Sequence, residues 1–343
     1  MANNLVSIII PCFNSEKKIR RCITSLLNQE YTNIEIVAVN DGSTDKTLQI
    51  LNAFAACDIR MKVFSNENHG VSYSRNFGIS KANGEFICFV DSDDCVLKNY
   101  VSTLLETAEH GSYDLVVCGY ESADGLIHCQ PDDREFNVND EIETFIYETM
   151  IRTNYLNPPW NKIFKKSKIL NTFPEEFSLG EDVIFNCEYA FNAKRVKIIS
   201  DVLYKYDTSG SNKLTTKFTK NSLSAIKYLY VLLENKLTSG KEVAYEFKRY
   251  FIGKLIECIN LLFFSDYTRK LKKQIFNSIV NDAFWIEMMS DFLQSNNSLD
   301  YYAEATEILL SKKYSRYFSF LFKHRIKKKI FRRNEGAFRD RDL

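Results

Sequence analysis

No C-x-x-C pair and no zinc-type histidine spacing occur in these 343 residues: nine cysteines make an odd number, and only four histidines accompany them. Both features argue against a disulfide framework and a Cys-based zinc site, and the cysteine usage suits a reducing, cytoplasmic compartment. Proline (5) and glycine (12) are too scarce for collagen-like or linker architectures. The longest apolar stretch, around 259–264, is far short of the roughly 20 residues that cross a bilayer. The opening MANNLVSIII has no basic n-region and no small-residue cleavage site, so it does not read as a signal peptide. G-x-S-x-G, the P-loop and G-x-G-x-x-G are missing too, which leaves hydrolase, NTPase and dinucleotide-binding readings without their parts.

What is present reads as globular: 45% hydrophobic and 26% charged residues, in a chain long enough for one large or two smaller domains. The net charge of +1 conceals an asymmetry. Ten Lys or Arg and no acid lie between Lys312 and Arg333, on an otherwise acidic body. Such asymmetry concerns partners, not fold.

Over the first 120 residues, apolar runs of strand length alternate with helical spacing. Leu5–Ile10 reads as a strand ended by Pro11, with Ile19, Ile23, Leu26 and Leu27 on one helical face after it. Ile34–Val39, Met61–Phe64 and Phe86–Val90 are further strands, and Val71–Ala82 is a helix. The pattern predicts an α/β fold with a parallel-type sheet covered on both faces, and in such sheets ligands bind beyond the carboxyl ends of the strands. Three polar clusters fall there: Pro11–Asn14, Asn40–Asp45 and Asp91–Asp94. Leu115–Tyr120 reads as a strand, Glu181–Phe191 as a helix and Val202–Tyr206 as a short strand. From about Lys220 the chain has no proline and reads as an all-α domain. The boundaries expected are 1–215 for the α/β domain and 216–343 for the helical one.

Asp91-Ser92-Asp93 ends an apolar strand. In an extended segment, residues two apart point the same way, so both carboxylates reach one hard cation such as Mg2+ or Mn2+. A solvated turn is the plainer alternative. An EF-hand is excluded, because position 6 counted from Asp91 is Val96 and position 12 is Ser102.

In order and spacing, VSIIIPCFN, VNDGSTD, GVSYSRNFGI and ICFVDSDD together resemble family 2 glycosyltransferases, which are inverting, nucleotide-sugar-dependent enzymes with a GT-A fold. The resemblance covers about residues 5 to 210. It implies that Pro11 and Phe13 line the nucleobase, with Glu16 as a ribose or base contact and Asp41 accepting from uracil. It implies Arg75 near the diphosphate, Asp91 with Ser92 at the ribose and metal, Asp93 on the metal and diphosphate, and Asp94 on the donor sugar. Glu181-Asp182 resembles the family's ED motif, so Asp182 is implied as general base with Glu181 in support; both acids could instead complement a helix N-terminus. Trp160-Asn161-Lys162 resembles a segment near donor sugar and acceptor, with a buried core Trp as the alternative, and Tyr204-Lys205-Tyr206 with Ser209 and Ser211 a segment closing over the diphosphate.

The expected activity is therefore transfer of a sugar from a UDP-sugar to a saccharide acceptor, lipid-linked or on a glycoprotein, with Mn2+ or Mg2+. A non-catalytic scaffold subunit and a retaining GT-A enzyme are the alternatives. The basic segment 312–333 interleaves cations with Tyr314, Tyr317, Phe318, Phe320, Leu321 and Phe322, an arrangement that suits an anionic membrane surface, with an oligomer contact as the alternative. Nucleic acid is not expected, because the acidic body opposes a polyanion.

Overall fold

In the computed structural model, strand β1 (Val6–Cys12) is buried along its whole length, and so is β2 (Ile34–Asp41) beside it in parallel register. Its alternation sends Val6, Ile8 and Ile10 to one face, where they meet Ile19, Cys22, Ile23 and Leu26 of helix α1 (Ile19–Leu27) in one apolar cluster. Each such side chain contributes about 1.5–3 kcal/mol on burial. The opposite face of β1 is covered by α3 (Val71–Lys81), so closely that a Cβ on Gly78 would lie 2.4 Å from Ile9 Cγ2. Only glycine allows that approach.

The structure describes residues 4–207, 218–237, 241–295 and 300–324. The chain divides into two compact units, Met1–Lys213 and Leu214–Leu343. The first adds α2 (Thr47–Ala55), β3 (Met61–Asn66), β4 (Phe86–Phe89), β5 (Cys95–Val96), α4 (Tyr100–Gly111), β6 (Leu115–Ser122), β7 (Ile127–His128), β8 (Arg134–Asn137), α5 (Val138–Ile146), β9 (Lys162–Lys165), α6 (Glu181–Asn192) and β10 (Arg195–Tyr206). The sheet order is β3-β2-β1-β4-β9-β6-β10-β5, with β7 beside β6 and β8 beside β10.

Three expectations need correction. The sheet is mixed, because β9 enters antiparallel between β4 and β6. Moreover, β1 does not stop before Pro11: it runs to Cys12, with Pro11 opposite Val39. The β4 ladder on the other side has ended by Ile9, so the missing proline N–H falls where one flank is unpaired. The last strand is longer than Val202–Tyr206, since β10 starts at Arg195 and shifts register twice against β6.

Away from the carboxyl edge, a buried acid ties three strands. Glu35 Oε1 accepts from Ser7 Oγ (2.6 Å) and Asn83 N (2.5 Å), and Oε2 from Lys62 Nζ (2.6 Å) and Asn83 Nδ2 (3.1 Å). Burial pushes this carboxyl up, but the bonds from Lys62, Ser7 and Asn83 outweigh it and hold it at about 2. Its stabilising contribution is therefore complete above pH 4.5 and is lost as pH falls towards 2, and solvent screening at the half-exposed Lys62 keeps it below the full value of the shift. Glu35→Gln should lower stability by about 1.5–3 kcal/mol at pH 7, and the gap to wild type should close between pH 4.5 and 2 in urea unfolding. A gap that stays constant over that range would show that the carboxylate's charge contributes nothing.

In the second unit, α7 (Lys220–Glu234), α8 (Lys241–Phe264), α9 (Arg269–Val280), α10 (Ala283–Ser295) and α11 (Tyr301–Leu310) precede a further helical stretch over 314–324. Leu255, Ile259 and Leu262 of α8 share one buried face, and Phe276, Met289 and Leu309 of the neighbouring helices are buried too. Thr268 and Asp300 cap α9 and α11 by accepting from Leu271 N and Ala303 N. The expected apolar face of the basic segment is corrected here. Tyr317 is fully buried and donates to Asn260 Oδ1 (3.0 Å), Phe320 and Leu321 are buried, and Tyr314 stacks on Phe263. Packing within the helices uses that face, leaving Phe318 and Phe322 exposed. Residues 325–333, with six of the ten cations, lie outside the described residues. Among the described residues, no helix is long and apolar enough to cross a membrane.

Candidate active site

The carboxyl ends of β1, β2 and β4 bring the three polar clusters side by side, and hydrogen bonds join their loops. Asn14 N donates to Ser43 Oγ (3.0 Å), Ser15 N to Thr47 Oγ1 (2.8 Å) and Glu16 N to Asp45 Oδ2 (3.1 Å), while Glu16 Oε2 accepts from Lys46 N (3.1 Å). The Ser15 and Ser92 hydroxyls pair at 2.6 Å. Pro11 is buried within β1, so it presents no face to a base, whereas Phe13 is half exposed at the mouth. Asp41 ends β2 and accepts from His69 N and Gly70 N (both 2.9 Å), which leaves each carboxylate oxygen one further lone pair. Gly42 beside it has φ +68°, and a Cβ there would sit 2.7 Å from Asn68 N.

At the centre lies Arg75, only 3% exposed and over the Phe173 ring. It donates to Asp91 Oδ1 (3.0 Å) and, in a short bond, to Asp182 Oδ1, with Glu181 Oε1 at 3.8 Å. Three carboxylates thus share one guanidinium. Burial raises the Asp182 carboxyl to about 8, with Arg75 opposing and Glu181 and Asp91 adding to the rise. Glu181 is raised for the same reason. Arg75 itself is held more firmly protonated than usual by the three acids, although its own burial works against that. Asp182 keeps 30% of its side chain exposed, and its Oδ2 accepts no hydrogen bond among the described residues. Asp182 and Glu181 open α6 behind Gly180, whose φ of +91° favours glycine, and no side chain caps that helix end.

Asp93 is the open carboxylate of the D-x-D, 47% exposed, with Lys18 Nζ at 3.8 Å. Asp91 and Asp93 are hard oxygen donors whose charges repel. Burial first, then Asp91, raises the Asp93 carboxyl. A divalent cation would relieve that repulsion. Among the described residues no three ligating side chains converge. The segment is a turn and not the extended stretch expected, since Asp94 N donates to Asp91 O (3.1 Å), so alternation does not align the two side chains. Two carboxylates completed by diphosphate oxygens and water are nevertheless a common set for Mg2+ and Mn2+, so the donor chemistry fits the group.

Four expected sugar contacts are buried away from any ligand. Asp94 is fully buried and accepts from Tyr204 Oη (2.6 Å) and Asp207 N (2.7 Å), which makes it a latch between the 91–94 turn and β10. Asn161 is fully buried, donating to Cys118 O and accepting from Lys162. Lys162 is fully buried, with all three ammonium protons engaged by protein oxygens. Trp160 stacks on Tyr204 (4.3 Å) and Tyr206 (5.1 Å) and is 6% exposed, so it offers a sugar almost no surface. Ser209 and Ser211 lie outside the described residues.

Sequence reasoning missed Lys18, Arg21 and Asp207. Asp207 Oδ1 lies 3.2 Å from Lys18 Nζ, and Arg21 donates at 2.9 Å both to Asp207 Oδ2 and to Asp93 O. A signal was available. Cations crowd the start of α1, where the helix dipole disfavours them, and no acid sits in its first turn.

The sequence profile described as glycosyl transferase family 2 matches residues 7–169. Glycosyltransferase GlyG of Streptococcus pneumoniae is 32% identical over 231 residues, 63% of this chain and 75% of that protein. GlyA of the same organism is 31% identical over 245 residues, 68% of this chain and 34% of GlyA. The chain spans under two thirds of the length of several curated relatives that it matches. In structure, Staphylococcus aureus TarS 1–349 in complex with UDP-GlcNAc aligns with TM-score 0.66 at 21% identity, covering 94% of this chain and 92% of that one. That alignment extends the shared fold through the helical unit. The α/β sheet with its loops at the carboxyl edge is thus the GT-A fold, and the chain belongs to glycosyl transferase family 2.

Proposed function

We propose that this chain is an inverting glycosyltransferase, moving a sugar from a UDP-sugar to a saccharide acceptor hydroxyl. The observation that carries the reading is the gathering of Asp91, Asp93, Arg75 and Asp182 at one sheet edge, with Asp182 partly exposed and Asp93 open. Inversion needs a base on the face opposite the leaving nucleotide, and Asp182 Oδ2 is the free carboxylate oxygen for the acceptor proton. Arg75 holds the other oxygen and so orients the base. Phe13 offers its exposed ring to the uracil face; Asp41, only 4% exposed and accepting from His69 N and Gly70 N, shapes the loop beside it instead of presenting a carboxylate to the base. Asp91 and Asp93 would hold a divalent cation, which when bound supplies neutralising charge to the departing diphosphate. Lys18 and Arg21 add fixed positive charge at the same edge.

UDP-GlcNAc is the first donor to try, given the likeness to a TarS complex with that nucleotide sugar. The test is a panel of UDP- and GDP-sugars with Mn2+, read as nucleotide release with and without saccharide acceptors, followed by the anomeric configuration of the product. Inverted product from a UDP-sugar is expected. A retained anomer would overturn the mechanism, and no release from any donor would leave the scaffold reading in its place.

A further inference from the structure

Two buried polar side chains converge on one stretch of backbone beside the proposed base. Lys162 Nζ, at the start of β9, donates to Tyr155 O (2.6 Å), Asn161 Oδ1 (2.5 Å) and Pro158 O. Asn186 Nδ2, in α6, donates to Leu156 O (2.6 Å), Asn157 O (3.1 Å) and Pro158 O (3.1 Å). Both residues are fully buried. Four consecutive carbonyls, 155 to 158, thus point inward, and Pro158 O is shared by the two donors. The sequence helps: Pro158 and Pro159 carry no N–H, so these carbonyls have few backbone donors nearby.

The stretch connects the two halves of the site. Asn186 lies four residues after Asp182, one turn along the same face of α6. At the other end of the stretch, Trp160 O accepts from Tyr100 Oη (2.8 Å) and the indole stacks on Tyr204. Tyr204 Oη in turn donates to Asp94 and accepts from Asp91 N. Helix α6 and the D-x-D turn are therefore joined through residues 155–160.

We propose that Lys162 and Asn186 form a polar clamp that holds residues 155–160 against α6, making both of them positioning residues for the Asp182 base and for the Asp91–Asp94 turn. The inference rests on the proposed transferase reaction for its kinetic arm only. A buried ammonium is costly unless fully hydrogen-bonded, and here every proton is used. The charge also bears on the base. Burial draws Lys162 down to about 7, while Cys118 first and then the Asp182 charge work in the opposite direction. The other charged groups facing Asp182 are Arg75 from α3, Glu181 from α6 itself and Asp91 after β4.

The test uses the full chain with Lys162→Met, Asn186→Ala and the double variant. The clamp predicts that each single variant lowers kcat about 10- to 100-fold while UDP affinity in Mn2+, measured by calorimetry, changes less than 3-fold. It also predicts that the double variant falls little further, because both substitutions loosen the same 155–158 segment, whose Pro158 O the two donors share. Independently of turnover, a Trp285→Phe background leaves Trp160 as the sole indole, and its emission should shift to the red in both variants as the stack loosens. Should Lys162→Met fail to fold, Asn186→Ala carries the test, since the ammonium keeps its bonds to Tyr155 and Asn161. Unchanged Trp160 emission with unchanged kcat overturns the clamp, and so do losses in kcat that multiply in the double variant. If wild type transfers no sugar, the functional reading fails, yet the emission arm still decides whether the clamp exists.

Discussion

Asp182→Asn is expected to cut transfer about 10²- to 10⁴-fold, the usual share of a general base, while leaving UDP affinity nearly unchanged. The substitution keeps shape and one hydrogen-bond acceptor for Arg75, and that guanidinium still has Asp91 at 3.0 Å and Glu181 at 3.8 Å, so the fold should hold. The pH profile separates the base from a merely structural acid. A base must be ionised to act, so wild-type activity should rise with pH through an apparent pKa well above the ordinary aspartate range, towards about 8, because burial and the neighbouring acids disfavour the charge. Residual activity of the Asn variant should lose that acid limb. A variant that loses UDP affinity and keeps its limb would assign Asp182 to donor binding.

Asp93→Ala should be comparably damaging and differ in kind. The side chain is half exposed at a strand end and contributes little to the core, so the melting temperature should stay within a few degrees of wild type. A bound metal is worth several kcal/mol to the developing diphosphate charge, and each 1.36 kcal/mol is tenfold, so loss of its open ligand should cost about 10²- to 10³-fold in kcat/KM. Mn2+ titrated by electron paramagnetic resonance in the presence of UDP should bind more weakly to the variant, a readout that needs no turnover. Wild-type activity in excess Mn2+ would remove Asp93 from the metal site.

Both predictions rest on residues that a sequence reader can find, although their neighbours are less visible. Asp91 and Asp93 announce themselves by following an apolar strand, and Asp182 by opening a helix beside Glu181. Asp94, adjacent in sequence, has an unrelated job: it is buried under Tyr204, more than a hundred residues away. Nothing in the string DSDD distinguishes the open carboxylate from the latched one. Lys162 shows the same limit from the other side. A lysine after Trp and Asn suggests a ligand contact, yet its ammonium is consumed by carbonyls that curl inward around it.

By itself, the sequence determined the parallel β1–β4 core, its covering helices, the edge where the loops meet and the helical character of the second unit. These follow from local periodicity, since strands of four to eight apolar residues and helices with one apolar face bury themselves in few ways. Tertiary structure alone decided the antiparallel entry of β9, the gathering of three acids around Arg75, the Lys18–Asp207 pair and the use of Tyr317 in the helical core. Each depends on groups far apart in the chain, where burial is set by what packs opposite and not by the residue's own neighbours.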